Sequence, residues 1–337
     1  MATYKGIQGY SVQKLSSDPT TSETVGQLWY NSTAGKFKIS TEGAGTWATA
    51  TATNTGHTAQ GGAGTVTAAL QANGMDSPTA NTANSETYNG SAWTEGNNVI
   101  TARKNMGTTG TSTACIMAGG QVPSPDHAYQ SLSETYDGTS WSEGNNLLTA
   151  GRTNMGTVGT TTAALCFSRV VTPSVTPSAI TETYDGTCWS ETADLNTARR
   201  SVGSAGTQAG ALCITGTTAP PGAPVNQVES WDGTSWSETS TDTNTARNDP
   251  NGKGTTTNTL IFGGEGPPSL AQTETFNGTT WTEVGDMAVV AYAMGASGAN
   301  SSAALACGGY EGPTQITSSL VEEWTDPVYT IKTVTVS

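Results

Sequence analysis

The chain reads as short apolar runs set between polar, glycine-rich segments. Six small-residue apolar runs stand out, at residues 67–74, 114–120, 162–168, 210–216, 259–264 and 303–309, several of them closing on Gly-Gly. Most are followed by an alternating segment of the type Glu86-Thr87-Tyr88, then an Asn-Gly or Asp-Gly pair, then a segment opened by tryptophan. Runs this short, punctuated by glycine, predict strands, and many of them in series predict an all-β fold.

The order is periodic. Glu86-Thr87-Tyr88-Asn89-Gly90-Ser91-Ala92-Trp93 returns at residues 134–141, 182–189, 229–236 and 274–281, with successive tryptophans 48, 48, 47 and 45 residues apart. A Thr-Ala-Arg element follows at Thr101-Ala102-Arg103, Thr197-Ala198-Arg199 and Thr245-Ala246-Arg247, with Ala150-Gly151-Arg152 as a variant. A period of this length fits one four-stranded propeller blade per repeat, and six apolar runs imply six blades. The landmarks resemble the kelch repeat: an Arg-led strand, an apolar strand ending in Gly-Gly, a strand ending in Tyr-Asp and a strand opened by Trp. The resemblance covers about residues 47 to 326. It implies an all-β, six-bladed kelch-like β-propeller of four-stranded antiparallel blades. The repeat aromatics are Tyr88 with Trp93, Tyr136 with Trp141, Tyr184 with Trp189, Trp231 with Trp236 and Phe276 with Trp281. Two blades depart, with His57-Thr58-Ala59-Gln60 and Val289-Val290-Ala291-Tyr292 where the Arg element belongs. Kelch propellers serve unrelated functions, so the resemblance implies a fold alone.

An Asn-Gly or Asp-Gly pair between strands predicts a two-residue type I′ hairpin, whose central residues both take positive φ. With that turn at Asn89-Gly90, Tyr88 faces Ser91, Thr87 faces Ala92 and Glu86 faces Trp93. Alternation then puts Glu86, Tyr88 and Trp93 on one bulky face and small residues on the reverse. A bulky face laid on the small face of the next blade fills the core. The recurrent Glu and Arg are expected to bond backbone or each other, since one active site needs no five copies. The alternative is a ring of arginines around a central channel, which would hold an anion. The last repeat stops at Glu322-Glu323-Trp324, while Thr46-Trp47-Ala48 lies one period before Trp93 with no blade of its own. The Trp47 strand is therefore expected to complete the blade of Trp324 and close the ring, which leaves no sheet edge open.

Three domains follow: an N-terminal β-hairpin segment over 1–46, the propeller over 47–326, and a C-terminal strand or tail over 327–337. The last is expected to dock on the propeller or on a neighbouring subunit. In the first, residues 26–38 couple Leu28-Trp29-Tyr30 to Phe37-Lys38 across a turn of Asn, Ser and Gly. This segment resembles one common near the ends of bacteriophage tail-fibre and other virion proteins. The Thr-Ala-Arg and Thr-Ala-Ala-Leu repeats are similar to virion proteins of marine and cyanobacterial phages. The resemblance implies a virion component, assembled in the host cytoplasm, that meets other virion proteins through Trp29, Tyr30 and Phe37.

Charge narrows the partners further. Thirteen Lys and Arg against 27 Asp and Glu give a net −14 with no basic block, which argues against nucleic acid. The longest apolar run, residues 287–294, is too short to span a bilayer, and no apolar leader opens the chain. Five cysteines make no disulfide framework. Four of them, Cys115, Cys166, Cys213 and Cys307, recur in the apolar strand as small hydrophobes. Two histidines supply no copper cluster of the kind that galactose-oxidase-like kelch enzymes need, so no catalytic residue, cofactor or metal ligand is assigned. Asp137-Gly138-Thr139-Ser140-Trp141 resembles the sialidase Asp-box, but its Asp-to-Gly spacing is one residue short.

What varies between repeats is the loop after the apolar strand: residues 122–131, 170–179, 217–225, 265–271 and 310–317. Variable loops on a rigid frame are where recognition resides, and His127, Tyr129 and Tyr310 are the side chains assigned to it. The resulting expectation is a non-enzymatic, exposed virion structural protein, of tail-fibre or similar type, that contacts a host-surface glycan or protein. One alternative is a purely architectural capsid, neck or tail decoration. Another is a glycan-processing enzyme whose carboxylate pair converges only in three dimensions.

Overall fold

The computed structural model describes residues 12–19, 26–42, 45–77, 80–123, 128–149, 151–171, 176–218, 222–266, 269–312, 316–326 and 329–335. Among them the regular structure is strand, with no helix. The chain divides into two compact units, Met1–Gly45 with Asp326–Ser337, and Thr46–Thr325.

In the smaller unit Gln13–Leu15, Leu28–Asn31, Lys36–Glu42 and Tyr329–Thr333 form one sheet in that order. The middle two strands are the hairpin read from the sequence, with Tyr30 opposite Phe37 and Asn31 opposite Lys36. Asn31 shapes its turn: Oδ1 accepts the Ala34 N–H at 2.8 Å while Nδ2 donates to Asp18 at 2.6 Å. The C-terminal strand, Tyr329–Thr333, is the fourth strand of this sheet. It pairs with the hairpin, Lys38 opposite Thr333 and Glu42 opposite Tyr329, because the hairpin's second strand otherwise presents an unpaired edge.

The larger unit contains six four-stranded antiparallel sheets, consistent with a propeller. Sheet one is Gly61–Thr65, Ala68–Ala72, Ser85–Tyr88 and Trp93–Glu95; sheet two is Gly107–Thr111, Ala114–Ala118, Ser133–Tyr136 and Trp141–Gly144. Sheet three is Gly156–Thr160, Ala163–Val171, Thr176–Tyr184 and Trp189–Glu191; sheet four is Gly203–Thr207, Gly210–Ile214, Val228–Trp231 and Trp236–Glu238. Sheet five is Asn251–Thr255, Asn258–Phe262, Thr273–Phe276 and Trp281–Glu283. Sheet six joins Gly295–Asn300, Ala303–Cys307 and Val321–Thr325 to Thr46–Ala50, so that Trp47 stands opposite Trp324 and Thr46 opposite Thr325.

Each second strand is buried on both faces because each faces another sheet. Cys115 and Met117 of sheet two pack with Tyr136 and Trp141 against Leu70 and Ala72 of sheet one. Ile116 and Ala118, on the reverse, receive Tyr184 and Trp189 of sheet three. The same arrangement recurs between the later sheets and between sheets six and one, where Leu305 and Val321 meet Tyr88 and Trp93. The receiving face is aliphatic rather than merely small. Burial pushes the Cys115 and Cys213 thiols up to about 12 and Cys166 to about 11, so they serve as neutral filling.

The hairpin register differs from the type I′ expectation by two residues. Trp93 stands opposite Tyr88, Thr94 opposite Thr87 and Glu95 opposite Glu86. The loop spans residues 89–92, and within it only Gly90 has positive φ, at 90°. Asn89 is the cause: its Oδ1 accepts the N–H groups of Ser91 and Ala92, both at 2.9 Å. That closes the turn without forcing Asn89 itself into the left-handed region. Asp137, Asp185, Asp232 and Asn277 do the same in sheets two to five. The shift sets the two rings face to face, Tyr88 to Trp93 at 4.9 Å, so the bulky face survives.

Three of these loop caps titrate. Backbone N–H groups of Ser140 and Thr139, of Cys188 and Thr187, and of Ser235 and Thr234 hold Asp137, Asp185 and Asp232 below the ordinary carboxylate value. A folded-state pKa below the unfolded one contributes stability above the unfolded value, near 3.9, and loses it as pH falls through the folded value. Replacing all three by Asn, which Asn89 and Asn277 show to be a working cap, should flatten the fall of the thermal midpoint between about pH 4.5 and 2.5. Equal acid sensitivity of the triple variant and the parent, each referred to its own midpoint at neutral pH, would count against the capping role.

Candidate functional site

Each inner strand is entered through a non-glycine residue in the left-handed region: Ala59, Asn105, Asn154, Ser201, Asp249 and Ala293, with φ between 48° and 56°. Such a residue costs roughly 1–3 kcal/mol unless neighbours hold it. Here they do so by a chain of backbone bonds between sheets. The Ala59 N–H donates to Ala293, Asn105 to Ala59, Asn154 to Asn105, Ser201 to Asn154 and Asp249 to Ser201, all at 2.7–3.0 Å. These residues form a collar around a cavity of about 120 Å³. Asn154 donates to Ser201 at 3.1 Å, and burial pushes the Asp249 carboxyl up, opposed by hydrogen bonds from Ser201 and Asn154.

Below the collar Gln60, Met106, Met155, Val202, Pro250 and Met294 narrow the space to a cavity of about 100 Å³. It opens in turn on a third, of about 200 Å³, through the shared residues Gly62, Thr108, Thr157, Ser204, Gly252 and Lys253. The three cavities share walls, so they run end to end along the inner strands. Lys253 is the one charged side chain lining the third. Lys253 is half-buried, and desolvation by the surrounding strands lowers its ammonium pKa to about 8.

The recurrent charges lie elsewhere. In every sheet the third-strand glutamate accepts two consecutive backbone N–H groups from the link that enters the inner strand. Glu134 takes those of Ile100 and Thr101, Glu182 those of Leu148 and Thr149, and Glu322 those of Ala288 and Val289. Four of these glutamates also pair with a fully buried arginine: Arg103–Glu134 at 2.8 Å, Arg152–Glu182 at 3.1 Å, Arg199–Glu229 at 2.8 Å and Arg247–Glu274 at 2.5 Å. The arginines spend further donors on carbonyls, as Arg103 does on Gly119 and Leu132, and so form no cationic ring around the channel. His57 occupies the arginine position of sheet one, where burial lowers its pKa.

The loops after the apolar strands sit at the collar end. Bridges of Lys104 with Gln121, Arg200 with Thr217 and Asn248 with Glu265 tie them to the residues that lead into the collar. In one of them, residues 170–171 and 176–179 continue the two strands of a long hairpin, with Arg169 opposite Ser178 and Val171 opposite Thr176. Of the recognition residues read from the sequence, His127 lies outside the described residues. Tyr129 is half-buried in a bridge with Gln121. Tyr310 is half-buried too, its ring 5.4 Å from Tyr292 and its hydroxyl beside Met75. The two tyrosines belong to the loops of sheets two and six and share no ring contact or hydrogen bond. In the smaller unit Trp29 is 2% exposed and donates to Asp18, so it belongs to the core of that sheet; Phe37, 44% exposed and edge-on to Tyr30, presents surface.

Sequence reasoning missed Lys253 and the collar. The signal for Lys253 is present once the inner strands are aligned on their left-handed glycine: the preceding residue is Ala63, Thr109, Val158, Ala205, Lys253 and Ser297 in turn, charged in one strand of six. No comparable signal marks the collar, since Ala, Asn, Ser and Asp share no side-chain property.

Removing one partner of a buried ion pair strands the other charge, at a cost of about 3–5 kcal/mol. Arg199→Ala should therefore lower the unfolding free energy by about that amount in a denaturant titration, because Glu229 stays buried; a loss below about 1 kcal/mol, the scale of an exposed pair, would show that water replaces the guanidinium. No family model matches the chain, and no curated protein is significantly similar to it.

Proposed function

We propose that the chain is a non-enzymatic structural protein of a bacteriophage virion, built as a closed six-bladed kelch-like propeller with the smaller sheet as its attachment segment. Closure is supported by one pairing within sheet six and two contacts between sheets six and one. Thr46–Ala50 completes sheet six, the Ala59 N–H donates to Ala293, and Gly62 abuts the Ala296 backbone so closely that a Cβ there would lie 2.5 Å from the carbonyl oxygen. The non-catalytic reading is carried by the recurrent acids. All six glutamates spend both carboxylate oxygens on backbone N–H groups, which leaves them shielded from any substrate.

The virion assignment rests on the resemblance of residues 26–38. It is supported by the exposed apolar side chains of the smaller unit, Phe37, Ile331 and Val334, which fit a contact with another virion protein. The loops at the collar end are the surface offered to a host glycan or protein.

Two experiments test this reading. Phe37→Glu with Ile331→Glu should leave circular dichroism and thermal midpoint unchanged while the protein disappears from assembled particles; incorporation at the parent level would overturn the attachment role. Deleting residues 1–50 should open the edge of Val321–Thr325 and abolish cooperative unfolding, whereas a sharp transition at the parent temperature would remove closure.

A further inference from the structure

We propose that the cavity around Lys253 is a binding site for a small tetrahedral oxyanion of the phosphate or sulfate type. The walls at this level come from the inner strands of all six sheets and, besides Lys253, carry glycine, alanine, threonine, serine and one valine, Val158, so the single ammonium sets the charge of the site. Lys253 makes no ion pair with the described carboxylates, in a chain of net charge −14 where partners are abundant. The groups that act on it electrostatically are the thiols of Cys115 and Cys307, and burial raises both thiols so far that they are neutral at pH 7.

Room is available because the left-handed glycines cannot be replaced. A Cβ on Gly64, Gly110, Gly159 or Gly254 would lie 2.1–2.2 Å from a carbonyl oxygen of its own hairpin, so that layer holds no side chain. At about 30 Å³ for one water, the resulting 200 Å³ holds an oxyanion with part of its hydration. The cavity reaches Thr65 and Thr111 at the ends of the inner hairpins, Thr111 being exposed, so it opens on the end opposite the collar.

Lys253 is not there for the fold. Its pKa is lower folded than unfolded, so between about 8 and its ordinary value near 10.4 the unfolded chain holds a proton that the folded chain lacks. Charge on Lys253 thus opposes folding, and a bound anion would relieve that. Binding should be strongest below about pH 8 and fade as the ammonium deprotonates, with the window moved upward by the anion itself.

The test uses the full-length chain with inorganic phosphate and sulfate as probes. At pH 7 either should raise the thermal midpoint saturably, while sodium chloride of equal ionic strength should not. Lys253→Met should fold with an unchanged or higher midpoint and lose the anion-dependent rise; Lys253→Arg should keep it. In parallel, acetic anhydride at pH 8 followed by peptide mass mapping should modify Lys253, and phosphate should protect it. Equal anion effects on parent and Lys253→Met, or acetylation of Lys253 at the same rate with and without phosphate, would overturn the site even if Lys253→Met proved unstable.

Discussion

The larger unit depends on one bond pattern, a third-strand carboxylate closed over two consecutive backbone N–H groups of the incoming link. All six sheets have it, whereas four have the arginine. In sheet one the Asn54 side chain adds a third bond to Glu86 at 2.9 Å, and in sheet six Glu322 has the N–H pair. The N–H pair is therefore the necessary part and the guanidinium an addition. A buried carboxylate needs such partners, and here they fix where the chain turns from the outer strand of one sheet to the inner strand of the next. The collar depends on that placement: its left-handed residues persist because each is held by the neighbouring sheet, and each link must arrive in register for the bonds to form.

Side chains that are large or chemically distinctive were legible in the sequence. That Tyr88 and Trp93 share a face, and that the strand of Trp47 lies beside that of Trp324, follows from spacing and alternation alone, although Tyr88 stands opposite Trp93 rather than Ser91. The register between strands three and four was not legible, because Asn-Gly is compatible with both a type I′ turn and an Asx-capped four-residue loop. The side chain of Asn89 decides between them only once the strands are paired. Residues 170–179 look like a proline-rich loop, yet Pro177 lies within the paired region, opposite Val170, in strands of nine residues each. Trp29 reads as a contact residue until Asp18, eleven positions earlier, is seen to accept its indole N–H.

The candidate site was the least legible part for a physical reason. Its walls are the commonest residues in the chain, and what distinguishes them is backbone conformation imposed from an adjacent sheet. A positive φ at Ala59 or Ala293 has no local cause. Lys253 differs only by standing in a column of uncharged residues, and the column exists only after six strands are aligned. Functional residues of this kind are found by comparing repeats with one another, since a departure from symmetry is what carries information.

The partnership of Thr46 with Thr325, and of Glu42 with Tyr329, has a topological meaning. Residues opposite each other in an antiparallel pair lie about 5 Å apart, so the larger unit begins and ends at one place, and the smaller sheet has a matching gap between two neighbouring strands. The 280 residues from 46 to 325 are thus an insertion in a hairpin. A chain so arranged can gain, lose or exchange its whole set of sheets in a single genetic event without rerouting a strand of the host sheet. The same closeness of ends makes the larger unit a natural subject for circular permutation at any of its exposed turns.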